Sequence, residues 1–205
     1  MSTRKPRTRT ERRQQTNTQM LTTRFTTETF QENKRFRDIH NIPCIYSSSL
    51  PISDKLPYQD YYVLEMNNSI NRIMGIGKIS KTLQTTERIY SYKYYNRYTY
   101  KGTSYAKIYD AKIYDAKIYD AKIYDAKIYD TKLYDTELCD TQLCKKETLP
   151  QQYRDIIERV ERKIFYGKGH IKRGSSFTSF PIYKHTEDIP DLISVFNYIM
   201  SSKIM

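Results

Sequence analysis

Eight consecutive five-residue units, from Ala106 to Lys145, constrain this chain more than any other feature. Five read Ala-Lys-Ile-Tyr-Asp without change from Ala106 to Asp130, and three that follow, beginning at Thr131, Thr136 and Thr141, have drifted. The first position stays small and the third stays aliphatic, while the second runs Lys, Glu, Gln and the fourth runs Tyr, Cys. That tolerance predicts that positions one and three face inward. In an α-helix a five-residue step turns roughly 140°, which spreads Ile108, Ile113, Ile118 and Ile123 around the circumference and leaves no apolar stripe. In a flat strand an odd repeat throws successive Ile residues onto opposite faces. A chain that turns a corner in each unit escapes both conflicts and stacks as a short β-solenoid. The bland alternative is a tandem duplication expanded in a tolerant surface loop, solvated or irregularly helical, with Lys107 and Asp110 at helical i, i+3 spacing. Both readings stay open.

The frame of small residue at one and Ile or Leu at three, Ala106/Ile108 through Thr141/Leu143, resembles the pentapeptide-repeat family. The resemblance implies a right-handed four-sided β-helix over residues 106–145 alone. It departs at the second position, where Lys stands for the family's usual Asp or Asn, and eight units close only about two coils, few for a solenoid that stands alone. Some members of that family act as DNA mimics, which requires a strongly negative surface. Here the repeat carries seven Lys against seven Asp and one Glu, a net of −1, which argues against mimicry.

The chain as a whole has a formal charge of +12, half of it within the first forty residues. Residues 1–40 are rich in Arg, Thr and Gln and poor in large aliphatics, so this arm is expected to be disordered, unable to bury enough apolar surface to offset its ordering entropy. Arg4, Lys5, Arg7, Arg9, Arg12 and Arg13 suit it to neutralise backbone phosphates and release counterions. The same composition fits a solubilising tail, an organelle transit peptide or a nuclear signal. Cys44, Cys139 and Cys144 form no C-x-x-C pair, and His40, His170 and His185 are scattered, so no disulfide framework, metal site or cofactor follows. No apolar run approaches a membrane span and the N-terminus lacks the apolar core of a secretory signal, so an intracellular setting without a membrane is expected.

Folded sequence is expected from Ile42. Tyr61–Met66 and Arg72–Ile79 read as a hairpin around the polar turn 67–71, with Gly75 and Gly77 marking a bulge or a close approach. A third strand is expected from Arg88 to Lys101, where Tyr90, Tyr92, Tyr94, Tyr98 and Tyr100 alternate with Ser91, Lys93, Arg97, Thr99 and Lys101. That face is either core or an aromatic platform of the kind that stacks unpaired bases. Pro150 opens a helix with Tyr153, Ile156, Ile157, Val160 and Ile164 inward, and Gly167 ends it. The following loop, with Lys168, Lys172, Arg173, Ser175 and Ser176, suits a phosphate or sulfate, although it is not a Walker A motif and serves equally as a basic surface loop. Phe177, Phe180, Ile182 and Tyr183 form a short returning strand, and a helix from about Pro190 turns Leu192, Val195, Phe196 and Ile199 inward. The expected architecture is α+β: a small antiparallel sheet or partial barrel from residues 42–105 and 146–205, packed by two C-terminal helices and interrupted by the repeat at 106–145.

The runs Tyr62-Val-Leu-Glu-Met-Asn-Asn, Ile73-Met-Gly-Ile-Gly, Tyr95-Asn-Arg-Tyr-Thr-Tyr-Lys-Gly and Gly167-Lys-Gly-His-Ile-Lys-Arg-Gly-Ser-Ser-Phe-Thr resemble a domain of giant nucleocytoplasmic DNA viruses of the mimivirus type. The resemblance implies host cytoplasm or a viral factory as the setting, with the nucleus still open, and carries no catalytic residue across. Three functions compete: a non-enzymatic protein that binds nucleic acid or another polyanion through the arm and the basic loop, a scaffold that captures a protein through the repeat, and a nuclease. The last rests on a partial resemblance to the GIY-YIG endonucleases, with Tyr62 and Met74–Gly77 in approximate places; the full signature is missing and no metal-binding Glu is assigned, and magnesium-dependent cleavage abolished by substitution at Glu65 or Glu87 would support it.

Overall fold

The structure, a computed structural model, describes residues 19–82, 87–108, 149–167, 170–173, 177–180 and 187–202. Six strands form one curled, mixed sheet, a half-barrel. They are β1 (Met20–Phe25), β2 (Cys44–Ser48), β3 (Asp60–Asn67), β4 (Arg72–Ser80), β5 (Tyr98–Lys107) and β6 (Thr178–Ser179), ordered β2-β5-β4-β3-β1-β6 across the sheet. The β3–β4 hairpin stands where the sequence places it, and Asn71 supplies the left-handed residue of its turn at φ 55°. The sheet is mixed, not antiparallel, because β1 runs parallel to β3 with Leu21 opposite Val63.

Alternation of side chains divides the core into two layers. On one face Met20, Leu64, Met66, Ile73, Ile76 and Ala106 pack against α2 (Gln151–Phe165) and α3 (Asp188–Ser201). Ile157, Val160 and Ile164 of α2 meet Leu192, Val195, Phe196 and Ile199 of α3 there, as their helical spacing predicts. The buried Asp188 locks the pair by accepting from Arg159 Nε at 3.3 Å and from Lys163 Nζ at 3.0 Å. Glu161 ties α2 to the sheet, accepting from Arg72 at 2.7 Å and from the Ile73 amide at 2.8 Å. Gly167, at φ 74°, follows the end of α2.

The other face carries Leu21, Phe25, Tyr46, Tyr61, Val63, Ile79, Tyr90 and Tyr100, and it is covered by α1 (Thr27–His40) through Phe30 and Phe36. Thr26 and Thr29 form a reciprocal capping box at the start of α1, and Asn41 ends it in the left-handed conformation at φ 51°. Residues 20–40, expected within the disordered arm, are therefore β1 and α1. Composition concealed them because β1 buries Thr22 and Thr23, and the buried positions of α1 are Asn33 and Arg37. The sheet is thus packed by three helices instead of two.

The strand expected over Arg88–Lys101 is also corrected. Lys93–Asn96 is a short 3-10 helix and β5 begins only at Tyr98. Two irregularities then alter side-chain parity: between Glu65 and Met66 the partner strand carries the extra residue Met74, and between Lys78 and Ile79 β5 carries the extra residue Thr103. The second puts Tyr105 on the same face as Tyr100, although they stand an odd five positions apart. Of the repeat, Ala106 and Lys107 end β5 and Ile108 packs on the core that Leu149 also joins. The rest of the repeat, and with it the solenoid reading, lies outside the described residues.

Candidate functional site

Between the hairpin and β5, residues 89–97 form a loop whose shape is fixed by one side chain. Asn96 Oδ1 accepts from the amides of Ile89 and Tyr90, both at 2.9 Å, and Asn96 Nδ2 donates to the carbonyls of Tyr90 at 2.7 Å and Tyr92 at 3.2 Å. The Ser91 amide and hydroxyl both donate to Glu32 of α1. Tyr90 is buried beneath, its hydroxyl accepting from Asn33 and its pKa raised by burial. Above it Tyr92, Tyr94 and Tyr95 are 57, 53 and 40% exposed. Tyr95 stands edge-on to Tyr90 with centroids 6.2 Å apart, and Tyr92 lies 4.9 Å from Tyr95 and 5.6 Å from Tyr94. The Arg97 guanidinium sits 5.2 Å over the Tyr94 ring, and Arg88 and Lys93 on the same stretch of chain are exposed. Sequence alternation found Tyr90, Tyr92, Tyr94, Tyr98 and Tyr100 but neither Tyr95 nor the division into buried Tyr90 and Tyr100, half-buried Tyr98 and exposed Tyr92 and Tyr94.

Of the predicted polyanion-binding residues, Lys172 and Arg173 are described, whereas Arg4, Lys5, Arg7, Arg9, Arg12, Arg13, Lys168, Ser175 and Ser176 lie outside the described residues. The segment 170–173 is stitched to α2, to β1 and to the hairpin turn. Its Ile171 amide donates to the Ile164 carbonyl at 2.8 Å, and Arg24 Nε of β1 donates to the Ile171 carbonyl at 2.7 Å. Asn68 Nδ2 in the hairpin turn donates to the Lys172 carbonyl at 2.9 Å, and Lys172 Nζ donates to Asn71 Oδ1 at 2.7 Å. Asn71 is neutral, so this bond orients the Lys172 ammonium without cancelling its charge. Arg173 is exposed, and burial brings the neighbouring Arg24 guanidinium down to about 10.

A third cluster is internal. Glu65, fully buried, accepts from Tyr46 at 2.7 Å and from Arg37 at 3.2 Å on Oε1, and from Tyr105 at 2.8 Å on Oε2. Arg37 also lies 4.5 Å over the Tyr105 ring. Burial opposes the Arg37 charge, but Glu65 and the two tyrosines more than restore it, and its pKa is raised. Burial first and Glu65 second push Tyr46 and Tyr105 well above the usual phenol range and bring the Cys44 thiol to about 12. The glycines explain how two rings reach one carboxylate. A Cβ at Gly77 would overlap the Tyr46 hydroxyl, and one at Gly75 would overlap that of Tyr105. Asn33 contributes Nδ2 to the Ile45 carbonyl at 2.7 Å, while its own Oδ1 is buried without a hydrogen bond.

These placements bear on the carboxylates considered for metal-assisted hydrolysis. Glu65 spends both oxygens on protein donors, and Tyr62 lies on the opposite face of β3, edge-on to Phe196 at 5.1 Å. Glu87 pairs with Lys101 at 2.7 Å. No group of three or more His, Cys, Asp or Glu able to hold a metal occurs among the described residues, and no helix among them is long and apolar enough to cross a membrane. Sequence reasoning missed Arg37, Tyr46, Tyr105 and Asn96. Only the spacing of Gly75 and Gly77 signalled that something must lie close to β4. No family model, curated protein or solved structure matches the chain.

Proposed function

We propose that this chain is a non-enzymatic nucleic-acid-binding protein. The Lys172–Arg173 segment carries the reading: it holds two cations at the surface of a folded domain, one of them oriented by a neutral amide, in a chain of net charge +12. Contrast Arg37, Arg72, Arg159 and Lys163, each of which faces a carboxylate. Phosphate oxygens are the anions such a segment fits, as acceptors for Arg173 and as counter-charge for Lys172. Arg4, Lys5, Arg7, Arg9, Arg12 and Arg13 would extend the contact along the backbone, and Lys168, Ser175 and Ser176, close to this segment in sequence, would add donors. The resemblance to giant-virus proteins supports host cytoplasm or a viral factory as the place of action.

Fluorescence anisotropy with a labelled oligonucleotide at low salt tests the proposal. Lys172→Gln with Arg173→Gln is expected to weaken binding several-fold on every sequence tried, because phosphate contacts position a protein without reading bases. Binding unaffected by the pair, or none at all in the parent protein, overturns it.

A further inference from the structure

We infer that the Tyr92–Arg97 loop is a stacking platform for the unpaired bases of a single-stranded nucleic acid. The inference rests on the nucleic-acid reading above and names the class of strand. The first observation is exposure without disorder: Tyr92, Tyr94 and Tyr95 stand in solvent on a loop that Asn96 clamps with four hydrogen bonds and Glu32 ties to α1. Aromatic rings held in place lose little freedom when a flat partner lands on them. The second is charge: Arg88, Lys93 and Arg97 are all exposed, and residues 88–97 contain no Asp or Glu. Of the acidic neighbours, Glu87 is paired with Lys101 and Glu32 accepts from the neutral Ser91, so the three cations still outnumber the uncompensated carboxylate. The third is the Arg97 guanidinium over the Tyr94 ring, which places a phosphate-binding cation one ring thickness from a stacking face.

Ring faces interleaved with cations match the alternation of base and phosphate along a single strand. A duplex offers phosphates to the cations but keeps its base faces inside the helix, so it cannot use the tyrosines. An apolar protein partner would use the rings and leave three cations facing it. Single-stranded DNA and RNA share the stacking chemistry, and the 2′-hydroxyl is what separates them.

The test compares full-length protein with Tyr92→Ala and Tyr94→Ala, using labelled oligothymidine, oligouridine and a duplex of equal length. Both side chains are exposed, so unchanged thermal melting certifies the fold. Each variant is expected to lose roughly 5- to 100-fold in affinity for the single strands while its duplex affinity stays as in the parent. Tyr94→Trp is expected to retain binding. Equal binding of single strand and duplex, or equal loss on both in the variants, overturns the platform and leaves the nucleic-acid reading standing. Failure of the parent protein to bind any of the three probes overturns both. Oligouridine against oligothymidine then assigns the strand to RNA or DNA.

Discussion

Glu65 shows how a single residue can organise a sheet interior. A buried carboxylate is costly unless donors surround it, and Arg37, Tyr46 and Tyr105 come from a helix and two other strands to do so. Their arrival depends on Gly75 and Gly77 having no side chains and on Thr103 shifting the parity of β5. The negative charge beside Cys44, added to its burial, raises the thiol from 9.0 to about 12. A group whose pKa is raised on folding contributes stability below its unfolded value and loses it as pH rises towards the folded one. Between about pH 9 and 12 the protein is therefore expected to lose stability, at up to about 1.4 kcal/mol per pH unit from this thiol. Urea midpoints of the parent and of Cys44→Ala, measured across that window, check the sign. The parent should fall more steeply than the variant, and parallel curves would refute the assignment.

At the scale of elements, what the sequence revealed followed regular periodicity. The 3.6-residue pattern from Tyr153 to Ile164 and the apolar positions of α3 survive intact in the structure because both helices bury ordinary aliphatic stripes. The β3–β4 hairpin was legible for the same reason, its two strands flanking a polar turn. What stayed hidden lacked an apolar signature or imitated one. Helix α1 buries Asn33 and Arg37, polar residues whose partners Ile45 and Glu65 lie far along the chain. The tyrosine alternation over 90–100 imitated a strand, but Asn96 draws the backbone amides of Ile89 and Tyr90 into a closed loop, which no propensity encodes. Asn96→Ala strips both amides of their acceptor. It is expected to cost about 1–3 kcal/mol in unfolding free energy. Hydrogen exchange at Ile89 and Tyr90 should accelerate while the amides of β3 keep their protection, and unchanged exchange at those two residues would show that the loop is held by other contacts.

At the scale of the molecule, the described residues bury three carboxylates against cations and leave several other cations in solvent. Glu65, Glu161 and Asp188 are buried and each is neutralised by Arg or Lys. Arg88, Lys93, Arg97 and Arg173 remain exposed. The basic loop and the N-terminal cations were legible as charge in the sequence. The exposure of Tyr92 and Tyr94 was legible only as one of two alternatives for a strand face, and Tyr95 fell outside that alternation, because exposure is a property of the fold and not of spacing. Such an outward charge distribution has a direct thermodynamic signature, since each phosphate neutralised releases counterions. The decisive measurement is the affinity of the full chain for a labelled single strand as a function of salt concentration. The account predicts a straight line of log K against log salt, falling by about 0.7 for every phosphate contacted, with a shallower slope when Lys172 and Arg173 are replaced by Gln. Binding that is tight and insensitive to salt would contradict it.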